Sequence, residues 1–304
     1  MAVPHTSTNF SELKDIRFQR IANEEYNKHP DMIPKLFSDM PHNGRDRMTF
    51  NAVSTIGDFE QSSTVQYKDQ HMMYDTELVY LEFTNGLQIE RKLFDDDQQH
   101  IWTTKPKSLG RAAYRTRQQH GARIFNNAFS VDGLFYTQEE GVALCSNSHT
   151  TTTGASTASG FDNLILGSLT ATSVATARIQ MTQFRGTQGE VISLMPDTLL
   201  FSPDNYEQAF EIVNSAGKLD TANNNANVHE GRYKLIEWNF LTDTNNWFMM
   251  DSAMMSDMLH WSDRVMLEYG FVEDFETFSA KYRAYMRYAM AWTDWRFVLG
   301  ALVS

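Results

Sequence analysis

The chain has 304 residues, 41% of them hydrophobic, a formal net charge of -12 at pH 7 and one cysteine. That length buries a sizeable core, more readily as two subdomains than as one body. The acidic balance argues against a free nucleic-acid-binding module, and the lone Cys145 excludes an intrachain disulfide framework.

No apolar run approaches the ~20 residues of a membrane span. The start, MAVPHTSTNF, lacks the basic and apolar regions of a signal peptide, so the expectation is a soluble protein that folds in a cytoplasm. Residues 1–47 are polar, hold Pro4, Pro30, Pro34 and Pro41, and predict an arm with one or two short helices that something else must hold in place. Residues 48–75 mix Thr, Ser, Gln, Val and Phe with patchy alternation and predict two long, weakly apolar strands. A ribbon of two such strands is marginal in water. Val79, Leu81 and Phe83 then alternate with Tyr80 and Glu82, and the alternation resumes at Leu87, Ile89 and Leu93 after Asn85-Gly86. An Asn-Gly pair supplies both positive-φ residues of a type I′ turn, which predicts a hairpin.

Asp95, Asp96 and Asp97 predict a helix start, where carboxylates offset the positive end of the helix dipole. Pro106 predicts a break, and residues 108–129 one long helix despite Gly110 and Gly121. Between Gln98 and Val131 there is no acidic residue, while Lys105, Lys107, Arg111, Arg115, Arg117 and Arg123 supply six positive charges. Residues 149–160, HTTTTGASTASG, read as a flexible loop. Val174, Ala177, Met181 and Phe184 mark a helix, and Val191 to Met195 predicts a buried strand. Ser202-Pro203-Asp204 starts a helix with the face Tyr206, Ala209, Phe210 and Val213. A second polar loop covers residues 219–231, and Tyr233 to Phe240 and Trp247 to Asp251 predict strands around the turn Thr242 to Asn245.

The closing stretch YRAYMRYAMAWTDWRFVLGAL, residues 282–302, puts Tyr282, Ala284, Met286, Tyr288, Met290 and Trp292 on one side at strand spacing. A helix would instead align Tyr285, Ala289, Trp292 and Trp295; the aromatic enrichment favours strands. Parity flips across Thr293 and Asp294, after which Trp295, Phe297 and Leu299 take the apolar side, as a turn or bulge between two strands requires. The fold class is α+β.

Signals for chemistry are weak. Cys145 and His149 offer a thiol and a base four residues apart, but the spacing supplies no orienting group, and a buried Cys with a loop His is the simpler reading. Asp95, Asp96, Asp97 and His100 offer oxygen ligands for a hard cation, against the simpler role of dipole partners. The chain has no GxGxxG, Walker loop, HExxH or GxSxG. The basic helix reads as a surface for DNA or for an acidic neighbour, or as a solvated face.

Three stretches, taken in order, resemble the major capsid protein of tailed bacteriophages. These are ARIFNNAF followed by Gly141-x-x-Leu144-x-Ser146-x-x-His149; Pro196-Asp-Thr-Leu-Leu and its helix to Val213, then Asn223-Asn-Asn, Asn227 and LTDTNNWFMMD; and the closing ribbon. The resemblance is to the HK97 fold, most closely to the Mu-like major head subunits. It implies an N-terminal arm over 1–47 and an extended β-hairpin, the E-loop, over 48–78. A peripheral domain with a long spine helix follows over 79–135, a mainly axial domain over 136–260, and return strands of the peripheral domain over 261–304.

The implied function is a non-enzymatic, self-assembling subunit of pentamers and hexamers in an icosahedral head that encloses double-stranded DNA. Its site of action is the virion, after assembly in the host cytoplasm, with no cofactor, metal or membrane. Partners are other copies, a portal and a scaffolding protein, the last separate because no long scaffolding domain precedes the arm. Implied subunit-interface residues are Arg111, Arg115, Arg117 and Arg123 of the helix and Lys68, Asp58 and Glu60 of the extension. An encapsulin-type shell holding cargo enzymes shares the fold, and a cytoplasmic Cys hydrolase is the alternative of another class.

Overall fold

A computed structural model describes residues 11–90, 92, 96, 101–151, 154–217, 226–274, 276 and 278–303. Asp95, Asp97 and His100 of the acidic run, and residues 219–225 of the second polar loop, lie outside these.

The arm holds α1 (Ser11–Asn27) and α2 (Ile33–Leu36), the latter with Pro34 in its first turn, before the short β1 (Ser38–Asp39). β2 (Arg47–Val53) and β3 (Met72–Val79) pair antiparallel, but residues 54–71 between them form no strand. The two long strands expected over 48–75 therefore exist only at their ends. The Ser54 amide donates to the His71 carbonyl oxygen, and the His71 amide to Ser54 Oγ, both at 2.9 Å, which closes the base of the extension. Beyond that point the chain has no packed layer against which its apolar side chains could hold a ladder together.

β4 (Leu81–Glu90) is one uninterrupted strand, so the hairpin expected at Asn85-Gly86 is absent. Neither residue takes a positive φ, and both pair with the last long strand, Asn85 opposite Ala284 and Gly86 opposite Arg283. A partner long enough to bond the whole segment outweighs the local turn preference. Gly86 instead permits close approach, since a Cβ there would stand 3.0 Å from the Tyr282 carbonyl oxygen. α3 (Ile101–Asn126) likewise runs through Pro106 where a break was expected. Proline forfeits one ladder bond there, while Leu109, Ala113, Ala122, Ile124 and Phe125 bury one side of the same rod.

After β5 (Tyr136–Gln138), which adds to β3, the predicted flexible loop contains a small hairpin, β6 (His149–Thr151) with β7 (Gly154–Ser156). β8 (Leu164–Leu166) precedes α4 (Ala171–Thr182), whose Val174, Ala177 and Met181 are buried as the spacing predicts. Val191 to Met195 is not a buried strand: Val191 makes an isolated bridge to Arg185, and Val191 and Met195 are exposed. The strand is β9 (Thr198–Phe201), flanked on both sides and therefore apolar throughout. A 3-10 turn at Pro203–Asn205 leads into α5 (Tyr206–Asn214). This helix buries Ala209, Ile212 and Val213, leaving Tyr206 and Phe210 exposed, so the apolar face is rotated from the expected one.

β10 (Lys234–Glu237) and β11 (Trp247–Met250) do not pair across their turn, because β9 lies between them. α6 (Ser252–Met258) is capped by Asp251 and opens into β12 (Leu259–Asp274), which pairs antiparallel with β13 (Ser279–Trp292). β13 buries the six alternating side chains from Tyr282 to Trp292. A 3-10 turn, Trp295–Phe297, produces the parity flip, and β14 (Val298–Leu302) then joins a different sheet. The sheets are β1-β12-β13-β4, β10-β9-β11-β14-β8, β2-β3-β5 and the β6-β7 pair. One core spans the two large sheets and α3, from Trp261 and Tyr288 through Phe125 and Trp238 to Trp247 and Phe248.

Candidate assembly surfaces

The candidate residues fall on two surfaces, α3 and the extension. On α3, helical spacing distributes the cations to different sides, and each side has its own chemistry. Arg117 faces inward. Its guanidinium forks onto Asp263 at 2.5 and 2.8 Å and lies over the Trp261 ring at 4.8 Å, with Trp261 Nε1–H donating to the same carboxylate at 3.1 Å. Both charged side chains are almost closed off from water, at 12% and 13% exposure. Burial alone would weaken the guanidinium as a base; the Asp263 pair reverses this and keeps it charged.

Arg123 forks onto Asp132 at 2.7 and 2.8 Å, one helical turn from the end of α3. Burial raises the Asp132 pKa, but the Arg123 fork and the Asn127 amide outweigh it, and the carboxyl ends below its ordinary value. Arg111 donates to the buried Glu25 of α1 at 2.5 Å, and that hydrogen bond lowers the Glu25 pKa. Arg115, Lys105 and Lys107 are exposed and have no ion-pair partner among the described residues. Three arginines of the candidate set are thus matched inside their own subunit, and Arg115 is left outward. The partners Glu25, Asp132 and Asp263 carried no signal in the sequence, since two of them lie 86 and 146 residues from the arginine they meet.

Between Arg117 and Arg123, His120 sits half-buried, its Nδ1 2.6 Å from the Tyr288 hydroxyl. Burial, reinforced by the Arg123 charge, holds its pKa down at about 4, so the ring is neutral at pH 7.

The extension brings its three candidates together. Lys68 Nζ donates to the Asp58 carbonyl oxygen at 2.8 Å and to Glu60 Oε1 at 3.0 Å, pinning the outgoing and returning limbs. Around this pin Ile56, Phe59, Val65 and Tyr67 stand 66% to 105% exposed. At its root Thr55 and Thr187 exchange backbone-to-hydroxyl bonds of 2.9 and 3.0 Å.

The Cys145 thiol is buried, packs where a Cβ on Gly300 would collide with it, and is pushed well up from its ordinary pKa by that burial. An activated thiol needs the opposite shift. His149 is buried as well, not in a loop: it stacks on Trp295 at 4.1 Å, bonds Asn163 Oδ1 through Nε2 at 3.0 Å and has Glu140 3.5 Å from Nδ1. Both residues serve packing. No group of three or more His, Cys, Asp or Glu among the described residues is arranged to hold a metal ion.

The arrangement is therefore one of internally neutralised structure with two bare surfaces, one basic and one apolar. Comparison with known proteins agrees with a role in a shell. A family model described as "Phage capsid protein" matches residues 81–301. No curated protein matches the chain. Among solved structures, the mature capsid of bacteriophage PhiM1 superposes with a TM-score of 0.58 at 9% identity, covering 91% of this chain and 88% of that one. The capsid of cyanophage P-SCSP1u gives 0.57 at 12%, covering 88% and 86%. A virus-like particle from Pyrococcus furiosus gives 0.53 at 8%, covering 94% and 98%. The chain accordingly belongs to the phage capsid protein family, as a structural subunit of a capsid shell with the HK97 fold.

Proposed function

We propose that this subunit forms the pentamers and hexamers of an icosahedral head around double-stranded DNA, with a portal and a separate scaffolding protein as further partners. The observation that carries the reading is the extension: residues 54–71 present apolar side chains to solvent in a segment that makes no strand of its own. Several large apolar side chains left bare within one short segment are what contact area for another molecule looks like. In a self-assembling shell that molecule is a second copy.

On this reading residues 1–47 are the arm and 48–78 the extension. The peripheral domain takes 79–135, with α3 as spine, and the return strands from 261, while 136–260 are mainly axial and β14 lies in the axial sheet. Lys68, Asp58 and Glu60 are the residues that meet neighbouring subunits, while the exposed Arg115 is left for a partner outside its own subunit. Arg111, Arg117 and Arg123 act indirectly, by fixing the shape of the subunit. A net charge of -12 suits a lumen that holds DNA without gripping it. The encapsulin-type reading is not favoured, because the family that matches is that of phage capsids.

Negative-stain microscopy of the purified protein tests the reading. Closed shells of regular diameter are expected, and particles from an infected host should hold nuclease-protected DNA. Shells that hold only a cargo protein would overturn the DNA assignment, and a protein that stays monomeric with every phage partner supplied would overturn the whole reading.

A further inference from the structure

The α1–α3 pair carries positive charge that the subunit leaves unanswered. α1 runs parallel to α3 and close to it. A Cβ on Gly110 would collide with the Ala22 carbonyl, Glu25 reaches Arg111, and the Tyr114 hydroxyl donates to the Pro30 carbonyl oxygen at 2.8 Å. The His29 ring lies 4.9 Å from that of Tyr114. Beside α3, against the segment that follows α1, is a groove of about 440 Å³ lined by His29, Ser108, Arg111, Tyr114 and Arg115.

Along α3, Lys107, Arg111 and Arg115 recur every fourth residue, which spaces them about 6 Å apart on one side of the helix. Lys105 lies beside this row, Arg17 is exposed on α1 and Lys28 just beyond its end. Residues 104–126 contain no acidic side chain, and on α1 the exposed Glu24 is paired with Arg20 and the buried Glu25 with Arg111.

We propose that the two cations of this row not taken by a carboxylate, Lys107 and Arg115, form with Lys105 a phosphate-binding stripe that contacts the sugar-phosphate backbone of the duplex inside the shell, Arg111 being held by Glu25. The proposal rests on the DNA-enclosing reading above and assigns the inner wall to the α1–α3 face. Two features favour phosphate over a protein partner. The groove holds one aromatic face, Tyr114, whose hydroxyl is already engaged, so it lacks the apolar anchors on which protein interfaces depend. Its cations are also evenly repeated, which suits a polyanion that presents phosphates at regular intervals. In a chain of net charge -12 the stripe is a local exception, a place where the duplex approaches a wall that otherwise repels it.

The test compares the full-length subunit with Lys107→Ala/Arg115→Ala, and with Arg232→Ala/Lys234→Ala as a charge-matched control at exposed positions elsewhere. Binding to a fluorescent 20-base-pair duplex is followed by anisotropy over a series of salt concentrations. If both side chains meet phosphates, the slope of log K against log salt becomes shallower by about 2, near 0.9 per contact, while the control keeps the parent slope and empty shells of all three form alike. An unchanged slope, or an equal change in the control, overturns the stripe. So does loss of empty-shell assembly with DNA binding intact, which makes the surface a subunit contact. Failure of the parent protein to form any shell would instead overturn the reading beneath it.

Discussion

β13 and the extension are both rich in aromatic and aliphatic side chains, yet Tyr282, Tyr288 and Trp292 are buried while Phe59, Val65 and Tyr67 stand in water. The difference lies in what each backbone finds beside it. β13 has β12 along one edge and β4 along much of the other, so every alternate side chain gains a packed layer above it. Residues 54–71 find chiefly each other and, at the root, the turn around Gly186, Thr187 and Gln188. The free energy of folding therefore resides in the first region, and on the proposed reading the apolar surface of the second is what association would bury.

The sharpest way to break this contrast is to replace residues 56–69 by two glycines, which keeps the Ser54–His71 closure of the base. Shell formation should be abolished while the melting temperature of the monomer changes by no more than about 2 °C. Electron microscopy and calorimetry read the two halves separately, and normal shells from this variant would remove the extension from assembly.

A smaller effect is expected from Arg117→Met, which acts in the packed region. It leaves Asp263 buried with only the Trp261 indole N–H, and breaking a buried pair from one side costs about 3–5 kcal/mol. Urea unfolding should show that loss, and adding Asp263→Leu should recover most of it. A variant as stable as the parent would mean that the pair contributes nothing net.

The smallest effect concerns pH. The folded His120 pKa, about 4, lies below its ordinary value of 6.5, so between those values the unfolded chain binds a proton that the folded one refuses. Its contribution to stability is complete above about pH 6.5 and is lost as pH falls toward about 4. His120→Asn, whose amide still reaches the Tyr288 hydroxyl, should flatten the dependence of Tm on pH across that window. The Asp132 pair acts lower, losing its contribution as pH falls below about 3.8, and so does not mask the result. An unaltered slope would place the acid sensitivity elsewhere.

How much of this was legible in the sequence depended on whether the deciding partner was local. The period-two pattern of β13 was readable because both its faces follow from one strand, and α4 was readable because its buried stripe follows from one helix. Asn85-Gly86 misled because a turn preference of two residues is overridden by a ten-residue partner nearly two hundred positions away. Pro106 misled similarly, since a single missing donor is a small loss inside a rod packed along its length. Val191 to Met195 has the composition of β9 but not its flanking strands. Among the candidate interface residues the sequence grouped Arg111, Arg115, Arg117 and Arg123 by charge alone, and only the fold separates the three that meet carboxylates from the one that does not.

The short link from β13 to β14 carries a mechanical consequence. The Thr293 amide donates to the Met258 carbonyl oxygen at 2.9 Å, Asp294 caps the turn, Trp295 stacks on His149, and Arg296 reaches both Asp294 and the Arg185 carbonyl oxygen. Four consecutive residues are thus fastened to α6, to β6 and to the segment after α4, while the backbone itself joins the two large sheets. Swivelling one sheet against the other would have to break these attachments together. Two sheets tied together at this link favour flexing elsewhere, so a shell of such subunits would take up differences in angle more readily between copies than across this join.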